Sequence, residues 1–272
     1  MRKSLRVAGI ATACAVAGAA LYGTGVATAR THYTEARQSS EPHNIGLLVG
    51  ELDTYYGATP DANGVYQASP RSGYAKDVAS VLSQAKQDIK VLAKAKGSGK
   101  NQGKKKARPA IVLDIDDTSL LSFDYEKKSN YVYNDATWNA YVGQADRPAV
   151  FGMPELVTYA KSQGVAVFFL SGLSESLRAP AVKNLAEVGF KTQLDTEHVI
   201  LKNKTAPPAY LSDCATAAAW KCTTVQYKAG TRKHIEAAGY DIIGSFGDQY
   251  SDLDGGYAEK TYKIPNPTYF VS

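Results

Sequence analysis

Apolar positions recur at helical spacing in two early stretches of the chain. Ile45, Leu48, Leu52 and Tyr55 mark the first, and Val78, Leu82, Ala85, Ile89 and Leu92 mark the second. This periodicity predicts two helices that pack on the main domain. Between them, 57–73 is rich in Pro, Gly, Asn and Ser and reads as an irregular connection. Beyond Arg108 the pattern changes. Unbroken apolar runs at Ala110–Leu113, Val165–Leu170 and Ile242–Phe246 alternate with helical periodicity. Runs of that kind are what strands buried on both faces look like, so an α/β fold with a mostly parallel sheet flanked by helices is predicted. The intervening helices are read at 154–163, with Pro154 near the start and Gly164 as the stop; at 177–188, ending at Gly189, with Pro180 leaving its start open; and at 231–238, stopped by Gly239.

The first 29 residues are read separately. Arg2, Lys3 and Arg6 precede an apolar stretch from Val7 to Val26 that ends in Ala27-Thr28-Ala29, the pattern of a cleaved secretory signal peptide. Export to the extracellular side without a lasting membrane anchor is therefore expected. Gly and Ala dilute the apolar run, which disfavours the competing reading of a membrane anchor. Of the 31 Lys and Arg, three lie in this stretch and none of the 26 Asp and Glu do, so much of the net charge of +5 belongs to it. Residues 30–42 read as a flexible lead-in. The stretch 94–108 holds seven basic residues with Gly, Ser, Asn and Gln but no aromatics. A solvated linker is preferred over a nucleic-acid patch, which would carry stacking groups. The expected organisation is a signal at 1–29, a helical extension with a basic linker at 30–108, and a catalytic core at 109–272. Cys214 and Cys222 sit close together, and an exported chain favours a local disulfide; the alternative, a zinc site, lacks further ligands nearby.

Polar residues cluster where the predicted strands end: Asp114 and Asp116 after the first, Ser171 after the second, Asp248 and Asp252 after the last. In open parallel sheets the ligand crevice lies at that edge, so residues far apart in sequence converge there. Asp114-Ile115-Asp116-Asp117-Thr118 places three carboxylates within four residues. Like charges at that density call for a cation or for protonation, whereas a lone Asp would read as a turn or cap.

The segment Val112-Leu113-Asp114-Ile115-Asp116-Asp117-Thr118 resembles the first motif of haloacid dehalogenase phosphatases. Three later segments resemble the plant acid phosphatase and vegetative storage protein branch of that superfamily: Lys228 to Lys233, Gly247 to Leu253, and Lys263-Ile264-Pro265-Asn266-Pro267. The resemblance runs over about residues 110–270 in the family's order. It implies a Rossmann-like core with a small cap at 119–151 and a phosphomonoesterase as the activity. Asp114 would be the nucleophile, forming an aspartyl phosphate. Asp116 would be the general acid and base. Magnesium would be held by Asp114, Asp248 and the backbone carbonyl of Asp116. Ser171 and Gly172 would bind the phosphoryl group, and Lys228 would offset its charge. Thr118 and Asp252 would support these from behind, although Asp252 also reads as a surface charge. The implied substrates are nucleotides and aryl or sugar phosphates, with no nucleic-acid partner and an open oligomeric state.

One departure from the pattern matters. Many relatives carry Gly-Arg after the second-motif hydroxyl residue, but here Gly172 is followed by Leu173. Arg178 is a candidate replacement, with a surface ion pair as its other reading. In 119–151 the aromatics Tyr125, Tyr131, Tyr133, Trp138 and Tyr141 either stack on a leaving group or form the insert's own core, the latter being preferred. Dehalogenase chemistry is disfavoured by the acid at Asp116. A storage or binding protein on the same fold is the remaining alternative.

Overall fold

In the computed structural model, residues 42–98 and 107–272 are described. The expected signal at 1–29, nearly all of the expected lead-in and the centre of the basic stretch lie outside them. Five strands form one sheet: β1 (Arg108–Leu113), β2 (Ala166–Ser174), β3 (Val199–Lys202), β4 (Tyr240–Gly247) and β5 (Thr261–Lys263). The order across the sheet is β3-β2-β1-β4-β5, and every pairing is parallel. The chain runs outward from β1 through β2 to β3, then crosses to the other side of β1 for β4. That reversal places a topological switch point at the carboxyl end of β1, where Asp114 follows Leu113. The predicted α/β class is the one observed. The two edge strands were not predicted, because four and three residues are too few to display a period.

Helices cover both faces. α1 (Ile45–Tyr56) and α2 (Gly73–Ser98) precede the sheet, and α3 (Phe123–Lys128), α4 (Asp135–Gln144) and α5 (Met153–Ser162) lie between β1 and β2. α6 (Arg178–Glu187), α7 (Thr224–Ala237) and the single turn α8 (Tyr250–Leu253) follow. α2 behaves as its pattern predicts: Val78, Leu82, Ala85 and Ile89 are all buried in the main core with Leu113, Leu156 and Phe246. α1 differs. Its first turns leave Ile45 75% and Leu48 42% exposed, and only Tyr56 is buried. The helix is held by its last turn, where Tyr56 stacks on Tyr74 at 4.6 Å and on Phe123 at 4.1 Å.

One helix start that the sequence left open is settled, and another differs from the sequence reading. Pro180 sits in the first turn of α6, where the backbone N–H it lacks has no intrahelical partner, so it opens the helix rather than breaking it. α7 begins seven residues before the predicted start, because Thr223 and Gln226 form a capping box: the Thr223 hydroxyl accepts from the Gln226 N–H at 3.1 Å, and the Gln226 side chain accepts from the Thr223 N–H at 2.9 Å. The earlier start places Lys228 on the first turns of a helix aimed at the sheet edge.

Cys214 and Cys222 are bonded, closing the short hairpin Ala215–Thr216 with Ala219–Trp220. Trp220 packs edge-on against Tyr227 at 5.6 Å, and the Tyr227 hydroxyl donates to the Ser171 carbonyl at 3.1 Å. The disulfide thus braces the loop behind the second strand's active edge. Among the described residues no helix is long and apolar enough to cross a membrane.

Candidate active site

The loop after β1 sets the site. The Asp114 N–H donates to the Phe246 carbonyl of β4 at 2.9 Å, and the Ser119 hydroxyl donates to the Asp114 carbonyl at 2.6 Å. The backbone therefore remains part of the sheet until the carboxylates have been presented. Asp117 then turns the chain with φ 51°, a left-handed conformation that Asp tolerates better than most residues. Its side chain accepts from the Ser122 N–H at 2.8 Å and from the Ser122 hydroxyl, with the Tyr269 phenol close enough to lower its pKa. Asp117 is thus the loop's structural carboxylate, while Asp114 and Asp116 face the reaction space.

Lys228 is 2% exposed, and its ammonium has three donors and three acceptors: Asp114, Asp252 at 2.9 Å and the Leu170 carbonyl at 2.6 Å. Burial opposes its charge, but the Asp114 and Asp252 carboxylates outweigh that effect and hold the ammonium protonated well above the ordinary lysine range. Asp248 is oriented by three donors, the Gln249 and Asn266 side-chain amides at 2.7 Å each and the Thr118 hydroxyl at 3.2 Å. Thr118 thus contacts Asp248 and Asp252 contacts Lys228.

Oxygens of Asp114, Asp248 and Asp252 lie within 4.8 Å of one another. Burial drives the Asp114 carboxyl well above the usual carboxylate range; Lys228 opposes this, and Asp252, Asp116 and Asp248 add to it. Burial, with the charges of Asp252 and Asp117, pushes Asp248 up to about 7. One ammonium does not balance three buried carboxylates: Lys228 is shared between Asp114 and Asp252, and Asp252 also accepts from the Gln249 N–H at 3.1 Å. The three carboxylates could hold a cation that takes oxygen ligands, such as magnesium or calcium. The Asp116 carboxylate is turned away from this cluster: one oxygen accepts from Arg147 Nη1 at 2.6 Å and the other from the Ser171 hydroxyl at 3.1 Å.

Arg178 is placed elsewhere. Its guanidinium forks onto Glu175 and donates to the Val199 carbonyl at 2.8 Å, so the surface-pair reading describes it and the proposed replacement of the missing arginine does not. Gly172 is exposed in β2 beside Ser171, while Leu173 is buried in the main core. In the insert, Tyr125, Trp138 and Tyr141 pack on one another with centroids 5.0–5.9 Å apart, but they are continuous with the main core rather than a separate core of the insert, because Tyr125 and Trp138 are buried within it and Tyr141 packs against it.

Sequence reasoning missed several contributors. Arg147 had no motif around it; its one signal is a cation in an aromatic-rich stretch. Tyr269 lies on the terminal segment, which Asn266, Gln249 and Ser251 pin across the site; Ser251 Oγ donates to the Val271 carbonyl at 3.0 Å. Burial and the surrounding carboxylates of Asp117, Asp248, Asp116 and Asp114 hold its phenol neutral, so it acts as a donor.

Comparison with known proteins agrees with this geometry. Residues 58–272 match the family described as HAD superfamily, subfamily IIIB (Acid phosphatase). The chain is 34% identical over 172 residues to a stem 28 kDa glycoprotein of Glycine max, covering 60% of this chain and 61% of that one. It is 30% identical over 168 residues to acid phosphatase 1 of Solanum lycopersicum, covering 60% of each. It is 29% identical over 164 residues to vegetative storage protein 1 of Arabidopsis thaliana, covering 59% and 54%. The matches thus span somewhat over half the length of these relatives. A class C acid phosphatase from Bacillus anthracis shares the fold, with TM-score 0.52 and 22% identity over 72% of this chain and 80% of that one. With the Asp114 loop, Lys228 and the carboxylates of Asp248 and Asp252 assembled at the switch point of a parallel sheet, the chain belongs to the acid phosphatases of HAD subfamily IIIB.

Proposed function

We propose that the protein is an exported, magnesium-dependent acid phosphatase that hydrolyses phosphomonoesters through an aspartyl phosphate. The observation that carries this reading is the division of labour between the two carboxylates. Asp114 is buried against Lys228 beside Asp248, whereas Asp116 is turned aside, hydrogen-bonded to Ser171 and partly open to solvent. Asp114, Asp248 and the Asp116 carbonyl would hold the metal. Bound there, magnesium would supply the charge that lets a phosphate dianion approach an ionised carboxylate.

An Asp114 oxygen attacks phosphorus as the ester oxygen leaves with the electron pair of its bond to phosphorus. Asp116 gives that oxygen a proton, so an alcohol departs and Asp114 carries the phosphoryl group. Asp116, now ionised, takes a proton from water as that water attacks phosphorus, which releases phosphate and restores Asp114. Such proton transfer contributes about 10²–10⁴-fold. Ser171 and Lys228 orient and neutralise the transferring group. Nucleotides and aryl or sugar phosphates are the proposed substrates. The Cys214–Cys222 bond supports an oxidising, extracytoplasmic location.

The second reading, a storage or binding protein, is favoured by the vegetative storage proteins among the relatives and by the absence of arginine at Leu173. Expressing the full chain and assaying an aryl phosphate and a nucleotide, in the medium and in the cells, separates the two. Expected is turnover in the medium that a chelator removes and magnesium restores. Folded protein without turnover on either substrate would leave the storage or binding reading, and turnover confined to the cells would contradict export.

A further inference from the structure

The donors left over at the site are unevenly distributed. Lys228 has spent its three N–H bonds on Asp114, Asp252 and Leu170, and Arg178 is committed to Glu175 and Val199. Arg147, 1% exposed, gives only Nη1 to Asp116, and its Nε and Nη2 are buried with no hydrogen-bond partner among the described residues. Unpaired N–H groups on a buried cation are costly and call for an explanation. The position is built with care. The Arg147 backbone is clamped by Asn184, whose side chain accepts from the Arg147 N–H at 3.1 Å and donates to its carbonyl at 2.8 Å, and the guanidinium carbon lies 5.6 Å from the Trp138 ring centroid.

We infer that Arg147 is a phosphate-binding residue of this site: its unspent guanidinium N–H groups receive phosphoryl oxygens as substrate enters between Asp116 and Ser171. The inference rests on the phosphatase reading and adds the residue that meets the anion. Asp116 is the outermost member of the Arg147–Asp116–Ser171 chain, with its side chain 17% exposed against none for Arg147. As Asp116 turns to the leaving oxygen, it releases Nη1 and opens the guanidinium to the dianion. A planar fork suits phosphate in a way a lysine ammonium does not. The guanidinium therefore comes from the insert between the first two motifs, and not from the position that follows Gly172.

The test uses the full chain and its Arg147→Met and Arg147→Lys variants, with steady-state kinetics on an aryl phosphate, competitive inhibition by inorganic phosphate, and thermal unfolding with and without phosphate. Expected for Arg147→Met is a rise in KM and in the phosphate inhibition constant of about 10- to 100-fold, with kcat changed less, and loss of thermal protection by phosphate. Arg147→Lys should recover part of this binding. Should Arg147→Met not fold, Arg147→Lys alone decides, with an inhibition constant raised several-fold. A folded variant whose KM and phosphate inhibition constant match wild type overturns the inference, even if its kcat or Tm has fallen. Wild-type protein that neither turns over the ester nor is protected by phosphate would instead remove the phosphatase reading itself.

Discussion

Asp114→Asn should yield a folded protein whose turnover of an aryl phosphate is lower by on the order of 10⁴-fold or more, since removal of a nucleophile forfeits the covalent route. The fold should survive. Lys228 keeps Asp252 and the Leu170 carbonyl as partners, and one of several mutually repelling buried carboxylates is gone. Steady-state kinetics beside a thermal melt check both halves. A variant that is inactive because it is unfolded would show a lowered Tm, whereas a Tm within a few degrees of wild type locates the loss in the chemistry. Residual turnover near wild type would remove Asp114 from the nucleophile's role.

Lys228→Met should have the opposite balance, with stability lost as well as activity. The side chain is buried and its ammonium is the cation between Asp114 and Asp252, so the substitution leaves two buried carboxylates facing each other. Breaking a buried ion pair from one side typically costs about 3–5 kcal/mol. At about 2–4 °C per kcal/mol for a domain of this size, the Tm should fall by roughly 6–20 °C. The deficit has a sign in pH. Asp114 is raised by burial even with Lys228 present, and without that ammonium it rises further. The folded variant then holds a proton where the unfolded chain, with an ordinary carboxyl near about 3.9, has lost it. Stability therefore falls as pH rises above the usual carboxylate range, and the variant should lie closest to wild type in acid. Melts of the metal-free proteins over that range are the measurement. A Tm unchanged at neutral pH would mean that the ammonium does not hold these carboxylates together.

The parts of the molecule that could be read in advance are those in which local chemistry repeats a short rule. Unbroken apolar runs marked β1, β2 and β4 because strands covered on both faces need no polar alternation, and the carboxylates at their ends converged because parallel strands share one ligand-binding edge. α2 was legible for the same reason, as its stripe of Val78, Leu82, Ala85 and Ile89 is buried. α1 shows where periodicity stops being informative: an apolar stripe predicts a helix, but burial depends on what lies opposite, and Ile45 and Leu48 stay exposed. The start of α7 is readable from Thr223 and Gln226, a capping pair that lies ahead of the expected start at 231. Arg147 and Tyr269 were not readable. Their importance comes from tertiary placement, one brought beside Asp116 by the insert, the other carried to Asp117 by a terminal segment anchored through Asn266 and Gln249. Arg178 looked suitable by sequence distance alone, yet Glu175, three residues before it, captures its guanidinium.

The most direct test of the covalent route separates the two carboxylates in time. In Asp116→Ala, an activated aryl phosphate needs no proton on its leaving oxygen, so Asp114 can still be phosphorylated, but water has lost its base and the intermediate should accumulate. Acid-quenched protein, digested and mapped by mass spectrometry after mixing with substrate and magnesium, should carry phosphate on Asp114, with a burst of aryl alcohol about equal to the enzyme present followed by slow turnover. Steady turnover without a burst and with no phosphate on Asp114 would contradict a mechanism in which that residue is the nucleophile and Asp116 the base that frees it.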